Sequence, residues 1–193
     1  MNRIEHVLDS SYEQGPLYFH AATADLYASI GHGCLAVTRL SGSAIQSTRI
    51  ISAITDFPIT TFAVNKSGSL VVVGDEAGHG ILVHAGRRQV LGRMKWGGRG
   101  GVECIAFDGG DERFAVGVDR KVQVWRVEGR KRCFAPFVLE REVLLGHGEP
   151  ITALHWRDGE TVRLRTRDAD GAACMTAEAE FGGPTRAEGD ATP

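Results

Sequence analysis

The sequence predicts an all-β protein of the β-propeller class, because a β-rich segment returns about every 40 to 50 residues, the period of propeller blades. The clearest copies of its first strand lie at 59–64, 102–107 and 151–156. Each copy starts with an aliphatic residue, ends in an apolar one and runs into a polar turn that contains glycine. The chain also holds 25 glycines among 193 residues, well above the usual share of about 7%. Both features favour a fold of short strands and many turns.

Each predicted blade consists of short β-compatible runs bounded by glycine, serine, asparagine or aspartate. In the first blade the runs lie at 17–19, 26–30, 34–40 and 45–51, and in the second at 59–64, 69–73, 81–84 and 89–94. In the third they lie at 102–107, 114–118, 121–125 and 137–145. The fourth begins with runs at 151–156 and 161–166, then a weaker one at 172–175, after which the pattern fades.

These runs set the predicted domain boundaries. We expect an N-terminal segment over 1–13 and a partial propeller over 14–180, with a tail at 181–193. The four blades fall at about 14–55, 56–98, 99–147 and 148–180. The tail is nearly free of apolar residues, and we expect it to be disordered because it cannot bury enough surface to offset its ordering entropy.

The third repeat resembles a WD40 blade. Asp119 lies in a predicted tight turn, followed by an alternating strand that ends in Trp125. An aspartate can hydrogen-bond the backbone of its own turn, and alternation directs Val122 and Val124 towards neighbouring sheets. The copies that contain Asp75 and Asp168 follow the pattern less closely.

Two further residues are expected to be structural in the same way. His147 follows Gly146 just before the fourth repeat, and the WD40 resemblance implies that it orients the blade through hydrogen bonds. Trp156 ends the first strand of that repeat. WD40 rings usually contain more than four blades, so the resemblance implies an incomplete ring whose end blades are covered by missing sequence or by a partner.

A narrower resemblance rests on residues 129–141. The basic stretch Gly129-Arg130-Lys131-Arg132 precedes Phe134, and Phe137-Val138-Leu139 follows. This insertion resembles the matching segment of the periodic tryptophan protein 2 family, and a colinear series of smaller matches extends the resemblance over about 10–176. That family has two propellers and a helical C-terminal region, so the resemblance implies its N-terminal portion only.

The resemblance to this family implies that the chain is a non-catalytic scaffold in the UTP-B part of the small-subunit processome, located in the nucleus and nucleolus. Its partners would be other processome proteins, with pre-ribosomal RNA or small nucleolar RNA as candidate ligands. The alternative is a generic WD40 adaptor of another intracellular complex, and an enzyme on a β-rich fold is a third hypothesis.

A basic cluster in the third blade is the candidate contact for RNA or a protein partner. It comprises Arg126, Arg130, Lys131 and Arg132, whose long side chains could reach a phosphate backbone or an acidic surface. The alternative interpretation is a solvated loop beside an outer strand.

Composition argues against several other classes of function. A formal net charge of −2 gives no general attraction to nucleic acid or acidic membranes. No signal peptide or membrane span is predicted, and the four scattered cysteines suggest reduced thiols in an intracellular protein. The glycines at 97–101 lack the lysine of a phosphate-binding loop. We therefore expect no catalytic residues, cofactor, metal or small-molecule substrate.

Overall fold

The computed structural model describes residues 15–31, 33–96, 100–109, 112–119, 121–127, 137–144, 151–157, 161–166 and 176–180. Within these ranges the chain forms fifteen β-strands, arranged as four antiparallel sheets. The described residues include no helix long and apolar enough to cross a membrane. Predicted segments 1–13 and 181–193 lie outside them.

The first two sheets are four-stranded meanders in which sequence neighbours pair. The first blade contains β1 (Leu17–His20), β2 (Asp25–Ile30), β3 (Cys34–Ser41) and β4 (Ala44–Ile51). The second contains β5 (Ile59–Val64), β6 (Leu70–Asp75), β7 (His79–His84) and β8 (Gln89–Lys95). All eight strands lie where the sequence predicts them.

The third sheet repeats this arrangement and the fourth has three described strands. The third blade contains β9 (Cys104–Phe107), β10 (Arg113–Val118), β11 (Lys121–Val127) and β12 (Phe137–Leu144). The fourth contains β13 (Ile151–Arg157), β14 (Thr161–Thr166) and β15 (Thr176–Glu180). The expectation that the pattern fades after residue 175 is wrong, because β15 pairs with β14 over its whole length. The weak run at 172–175 lies outside the described residues.

The apolar side chains of each sheet fill the seams between neighbouring blades. Strand β11 shows this most clearly, because it is buried on both faces: Trp125 and Val127 join the cluster shared with the second blade, and Val122 and Val124 join the one shared with the fourth. The contacts predicted from alternation in this strand are therefore confirmed. Tyr27 and Val37 pack in the seam between the first and second blades.

Two polar contacts tie the first blade to the turn between β5 and β6. The Tyr27 hydroxyl donates to the carbonyl of Gly68 at 3.0 Å. The buried His20 donates from Nε2 to the carbonyl of Asn65 at 3.1 Å. Satisfied buried polar groups of this kind fix the orientation of the packed sheets, since each would be costly to leave unpaired.

An aromatic stack centred on Trp96 holds the second and third blades together. Its ring centroid lies 5.7 Å from Phe114, 6.0 Å from Trp125 and 5.2 Å from Phe137. The stack depends on a close backbone approach, because a Cβ built on Gly80 would lie 2.3 Å from the Trp96 ring. Phe137, from the family-like Phe-Val-Leu sequence, therefore contributes to the core, whereas Val138 and Leu139 are exposed.

Replacing Gly80 tests this stack. We expect Gly80→Ala to lower the free energy of unfolding by about 1 to 3 kcal/mol, because the added methyl group must displace the Trp96 ring in a packed seam. Gly109→Ala is the matched control, since a Cβ at that position would have nothing within 4 Å. Urea denaturation of both variants measures the difference. Equal stabilities would show that the seam is loose at Gly80.

Buried polar groups also join the third and fourth blades. The thiol of Cys104 lies 3.7 Å from the carbonyl oxygen of Ile151, and burial raises its pKa to about 12. Next to it, the carboxylate of Glu103 accepts a hydrogen bond from the Ile151 amide at 2.7 Å. Burial also raises the pKa of Glu103.

The raised pKa of Cys104 predicts a loss of stability in alkali. A thiol with an ordinary pKa of 9.0 ionises in the unfolded chain, while the folded chain keeps its proton until about pH 12. Between these values the unfolded state is favoured by up to about 1.4 kcal/mol per pH unit. We expect Cys104→Ala to show a shallower decline of the free energy of unfolding over this range, measured by urea denaturation. Burial also raises the pKa of Tyr27 to about 12, but this contributes equally to both proteins. Parallel curves would contradict the raised pKa of Cys104.

Candidate functional site

The basic cluster predicted from the sequence is only partly described. Arg126 lies on β11 and forms an ion pair with Glu140 on β12, with Nε and Oε1 3.0 Å apart. The carboxylate of Glu140 therefore partly neutralises the charge of Arg126. Arg130, Lys131 and Arg132 lie outside the described residues, and their contact with RNA or a partner stays a prediction.

The two predicted structural tryptophans both donate hydrogen bonds. Trp125 donates from Nε1 to Gln123 at 3.0 Å within its own strand. Trp156 donates to the carbonyl of Ala106 at 2.8 Å, which ties the fourth blade to the third, and the Arg113 guanidinium lies 5.6 Å from the centre of its ring. His147 lies outside the described residues.

The two turn aspartates are placed differently. Asp119 follows β10 in the predicted tight turn, where it is exposed and has a φ of 49°. Aspartate tolerates this left-handed conformation better than most residues. Asp75, in the copy that follows the WD40 pattern less closely, is fully buried at the end of β6. The carboxylate of Asp75 is therefore enclosed by the protein, whereas that of Asp119 lies at the surface.

The carboxylate of Asp75 joins the second blade to the segment that precedes it. Oδ1 accepts hydrogen bonds from the amides of Ala77 at 3.0 Å and His79 at 2.9 Å. Oδ2 accepts from the hydroxyl of Thr55 at 2.6 Å and lies 3.0 Å from Nδ1 of His79. The backbone carbonyl of Asp75 also accepts from the amide of Val102, where the third blade begins. One residue thus connects three parts of the chain.

Thr55 was missed by the sequence interpretation, although a signal was present. It lies four residues before Ile59, the first residue of β5, just as His147 lies four residues before Ile151. The structure places a hydroxyl donor at this position of the second blade. Because Thr55 donates to Asp75, the trio Thr55, Asp75 and His79 contains no threonine–histidine hydrogen bond of the kind that activates a nucleophile.

A cleft of ≈250 Å³ opens beside this network. It is lined by Ala53, Thr55, Asp56, Phe57, His79, Ile81 and Arg93. Arg93 holds the segment between the first and second blades in place by donating from Nε and Nη2 to the carbonyls of Ile54 and Ala53, at 3.0 and 2.9 Å. The Phe57 ring lies 5.5 Å from that of His79. The cleft thus combines an exposed aromatic ring, a carboxylate and a guanidinium.

Basic residues lie along the outer strand of the second blade and in the turn that precedes it. Arg87, Arg88, Arg93 and Lys95 are exposed, and no acidic residue occurs anywhere in 85–101. Among the ion pairs of the described residues, none involves these four side chains. In the third blade, by contrast, Lys121 and Arg126 on β11 pair with glutamates of β12. None of the described residues forms a group of three or more side chains suited to hold a metal.

Antiparallel four-stranded sheets packed side by side in an unclosed ring define a WD40-type β-propeller, which confirms the predicted fold class. The crystal structure of RRP9 WD40 repeats matches 85% of this chain and 51% of that chain, with a TM-score of 0.61 and 15% identity. The β-propeller domain of Cps50 (Swd1) from Myceliophteria thermophila matches 88% of this chain and 62% of that one, with a TM-score of 0.64 and 12% identity.

Sequence comparison confirms the narrower resemblance, to periodic tryptophan protein 2. The Schizosaccharomyces pombe homolog is 35% identical over 100 residues, and the Saccharomyces cerevisiae protein is 33% identical over 110. These matches cover 51% and 56% of this chain but 11% and 12% of the relatives. The Arabidopsis thaliana protein is 25% identical over 167 residues, which cover 86% of this chain and 18% of the relative. The chain thus spans less than a fifth of these relatives. No family model matches.

The contrast between the two aspartates can be measured. Asp75→Ala leaves the Thr55 hydroxyl and two amides without their acceptor, so we expect a loss of at least about 3 kcal/mol in the free energy of unfolding. Asp119→Ala should cost about 1 kcal/mol, because the side chain is exposed and the main penalty is alanine in a left-handed conformation. Thermal and urea denaturation of both variants provide the test. An equal or larger loss for Asp119→Ala would contradict this ranking.

Proposed function

We propose that the chain is a non-catalytic WD40 scaffold in small ribosomal subunit biogenesis. The observation that carries the proposal is the similarity to periodic tryptophan protein 2 in fungal, plant and animal relatives. Its expected partners are processome proteins, among them UTP-B subunits, with pre-ribosomal RNA or small nucleolar RNA as further ligands. Its expected location is the nucleolus.

An exposed apolar face on the first blade supports a role in protein binding. The registers of β1 to β4 place Leu17, Ala28, Ala36 and Ile50 on one face of the sheet, opposite the face of Tyr27 that packs on the second blade. On this outward face Leu17 is 51%, Phe19 46% and Ile50 53% exposed. Ala28 and Ala36, which lie between them on β2 and β3, are buried, so the exposed apolar side chains lie on the two outer strands of the sheet. Large exposed apolar side chains grouped on one blade are typical of interaction sites.

The arrangement of polar groups supports a non-catalytic function. The buried network around Asp75 joins its carboxylate to two backbone amides, to the Thr55 hydroxyl and to the His79 ring, and so holds the chain together. The Cys104 thiol is buried and has a raised pKa, the opposite of what a nucleophile requires.

Affinity purification of the tagged intact chain tests this function. We expect processome proteins to co-purify, and Leu17→Glu combined with Phe19→Glu to reduce their recovery at least about tenfold, because charge on an apolar contact face costs several kcal/mol. Leu144→Glu is the control, since Leu144 is exposed on β12 of the third blade. Circular dichroism shows whether each variant is folded.

Two outcomes would contradict the proposal. Recovery of the subunits of a different complex would favour a generic WD40 adaptor. Unchanged recovery with the first-blade variant would show that this face does not bind the partners.

A further inference from the structure

We propose that the cleft beside Asp75 binds one guanine base of a single-stranded RNA, with the neighbouring phosphates on the basic edge of the second blade. The proposal deepens the scaffold function and rests on it for the choice of RNA as the ligand. It adds an RNA contact on residues that the sequence did not single out, in addition to the predicted cluster of the third blade.

The size and apolar surface of the cleft suit one flat ring. Its volume of ≈250 Å³ lies below the range of about 300 to 1,000 Å³ that is usual for drug-sized ligands. Ile81 lines the cleft as part of the core, and Ala53 and Phe57 provide its exposed apolar side chains. Phe57 rests against His79 and remains 40% exposed, so its ring is available to a base. Exposed aromatic rings are the usual stacking surface for unpaired bases.

The carboxylate of Asp56 provides selectivity among the bases. Asp56 lines the cleft, is exposed, and forms no hydrogen bond or ion pair with another described residue. A carboxylate accepts hydrogen bonds through two oxygens side by side. Guanine presents two adjacent donors, N1–H and the N2 amino group, whereas the Watson–Crick edges of the other bases present one donor group each. Guanine is therefore the base that satisfies both oxygens of Asp56.

The register of the second blade places cations where the phosphates of such a strand would run. Arg93 is opposite Ile81 and Lys95 is opposite His79, so both share the sheet face of two cleft residues. Arg93 uses Nε and Nη2 to hold the carbonyls of Ile54 and Ala53, which leaves Nη1 for a ligand. Arg87 and Arg88 lie in the turn at the other end of β8 and extend the positive charge along this strand. Cations beside an exposed aromatic ring are the combination that single-stranded nucleic acid requires.

An acidic peptide is the competing ligand, and the cleft fits it less well. Its carboxylates would meet the cations of β8, but Asp56 in the cleft would repel them and Phe57 would have no role. A nucleotide can contact the aromatic ring, the carboxylate and the cations.

Fluorescence anisotropy with the intact chain tests the site. The probe is a labelled RNA of about seven nucleotides, with one guanine among uridines, and the comparison probe has adenine in its place. We expect tighter binding of the guanine probe, and Asp56→Ala should remove about a tenfold preference. Glu76→Ala is the matched control, because Glu76 is an exposed acid outside the cleft lining and should leave the preference unchanged.

Two further pairs of variants separate stacking from charge. Phe57→Leu should weaken binding of both probes about tenfold, whereas Phe57→Tyr, which keeps an aromatic ring, should bind normally. Lys95→Gln should reduce the slope of log Kd against log salt concentration by about 0.7, because one phosphate contact is lost. Lys66 is an exposed lysine in the turn between β5 and β6, and Lys66→Gln should leave this slope unchanged.

Several results would overturn the site. These are no binding of either RNA, equal binding of the two probes, an unchanged affinity with Phe57→Leu, or displacement of the RNA by a polyglutamate peptide at equal concentration. If the chain does not bind RNA but processome proteins co-purify normally, the RNA site is rejected and the scaffold function stands. If RNA binds as expected but processome proteins do not co-purify, the scaffold function is rejected and the RNA site stands.

Discussion

The second and third sheets of this chain need a neighbour on each side, because their strands carry buried apolar side chains on both faces. In β11, Trp125 is buried against the second blade while Val122 and Val124 are buried against the fourth. Burial of apolar surface stabilises by about 25 cal/mol per Å², so the three filled seams dominate the stability of the stack. The outward face of the first blade, with Leu17 and Phe19, has no such neighbour among the described residues. The requirement that holds the blades together thus also leaves a surface for partners.

Polar groups determine how the stacked sheets are joined. The buried carboxylate of Asp75 binds Thr55, which lies on the segment from the first blade, and its carbonyl binds Val102, which leads to the third. Arg93 fastens the same connecting segment from the other side. The candidate RNA cleft lies between this segment and strands β7 and β8, where Thr55 and Arg93 hold the segment in place. Its shape therefore depends on the same hydrogen bonds that join the blades.

Much of the fold could be predicted from the sequence, because strand periodicity is local. The repeat at 59–64, 102–107 and 151–156 correctly located the first strand of three blades, and alternation in β11 correctly assigned its buried residues. Strand β15 was missed because its sequence, Thr-Ala-Glu-Ala-Glu, has little β propensity, and its pairing with β14 makes it a strand. The cleft could not be predicted, since Asp56, Phe57 and Arg93 meet only through the path of a connecting segment. Likewise, the pairing of Arg126 with Glu140 follows from the register of β11 and β12, which contains an irregularity at Val124 and Trp125.

Amide hydrogen exchange of the intact chain is the most direct test of an open stack of blades. The slowest exchange is expected in β6, β7, β10 and β11, whose residues are buried between neighbours on both sides. Strands β1 and β4 should exchange faster, because their side chains Leu17, Phe19 and Ile50 are about half exposed. Protection of β1 and β4 equal to that of β6 and β10 in the isolated chain would contradict the open arrangement, since it would require a further layer against the first blade.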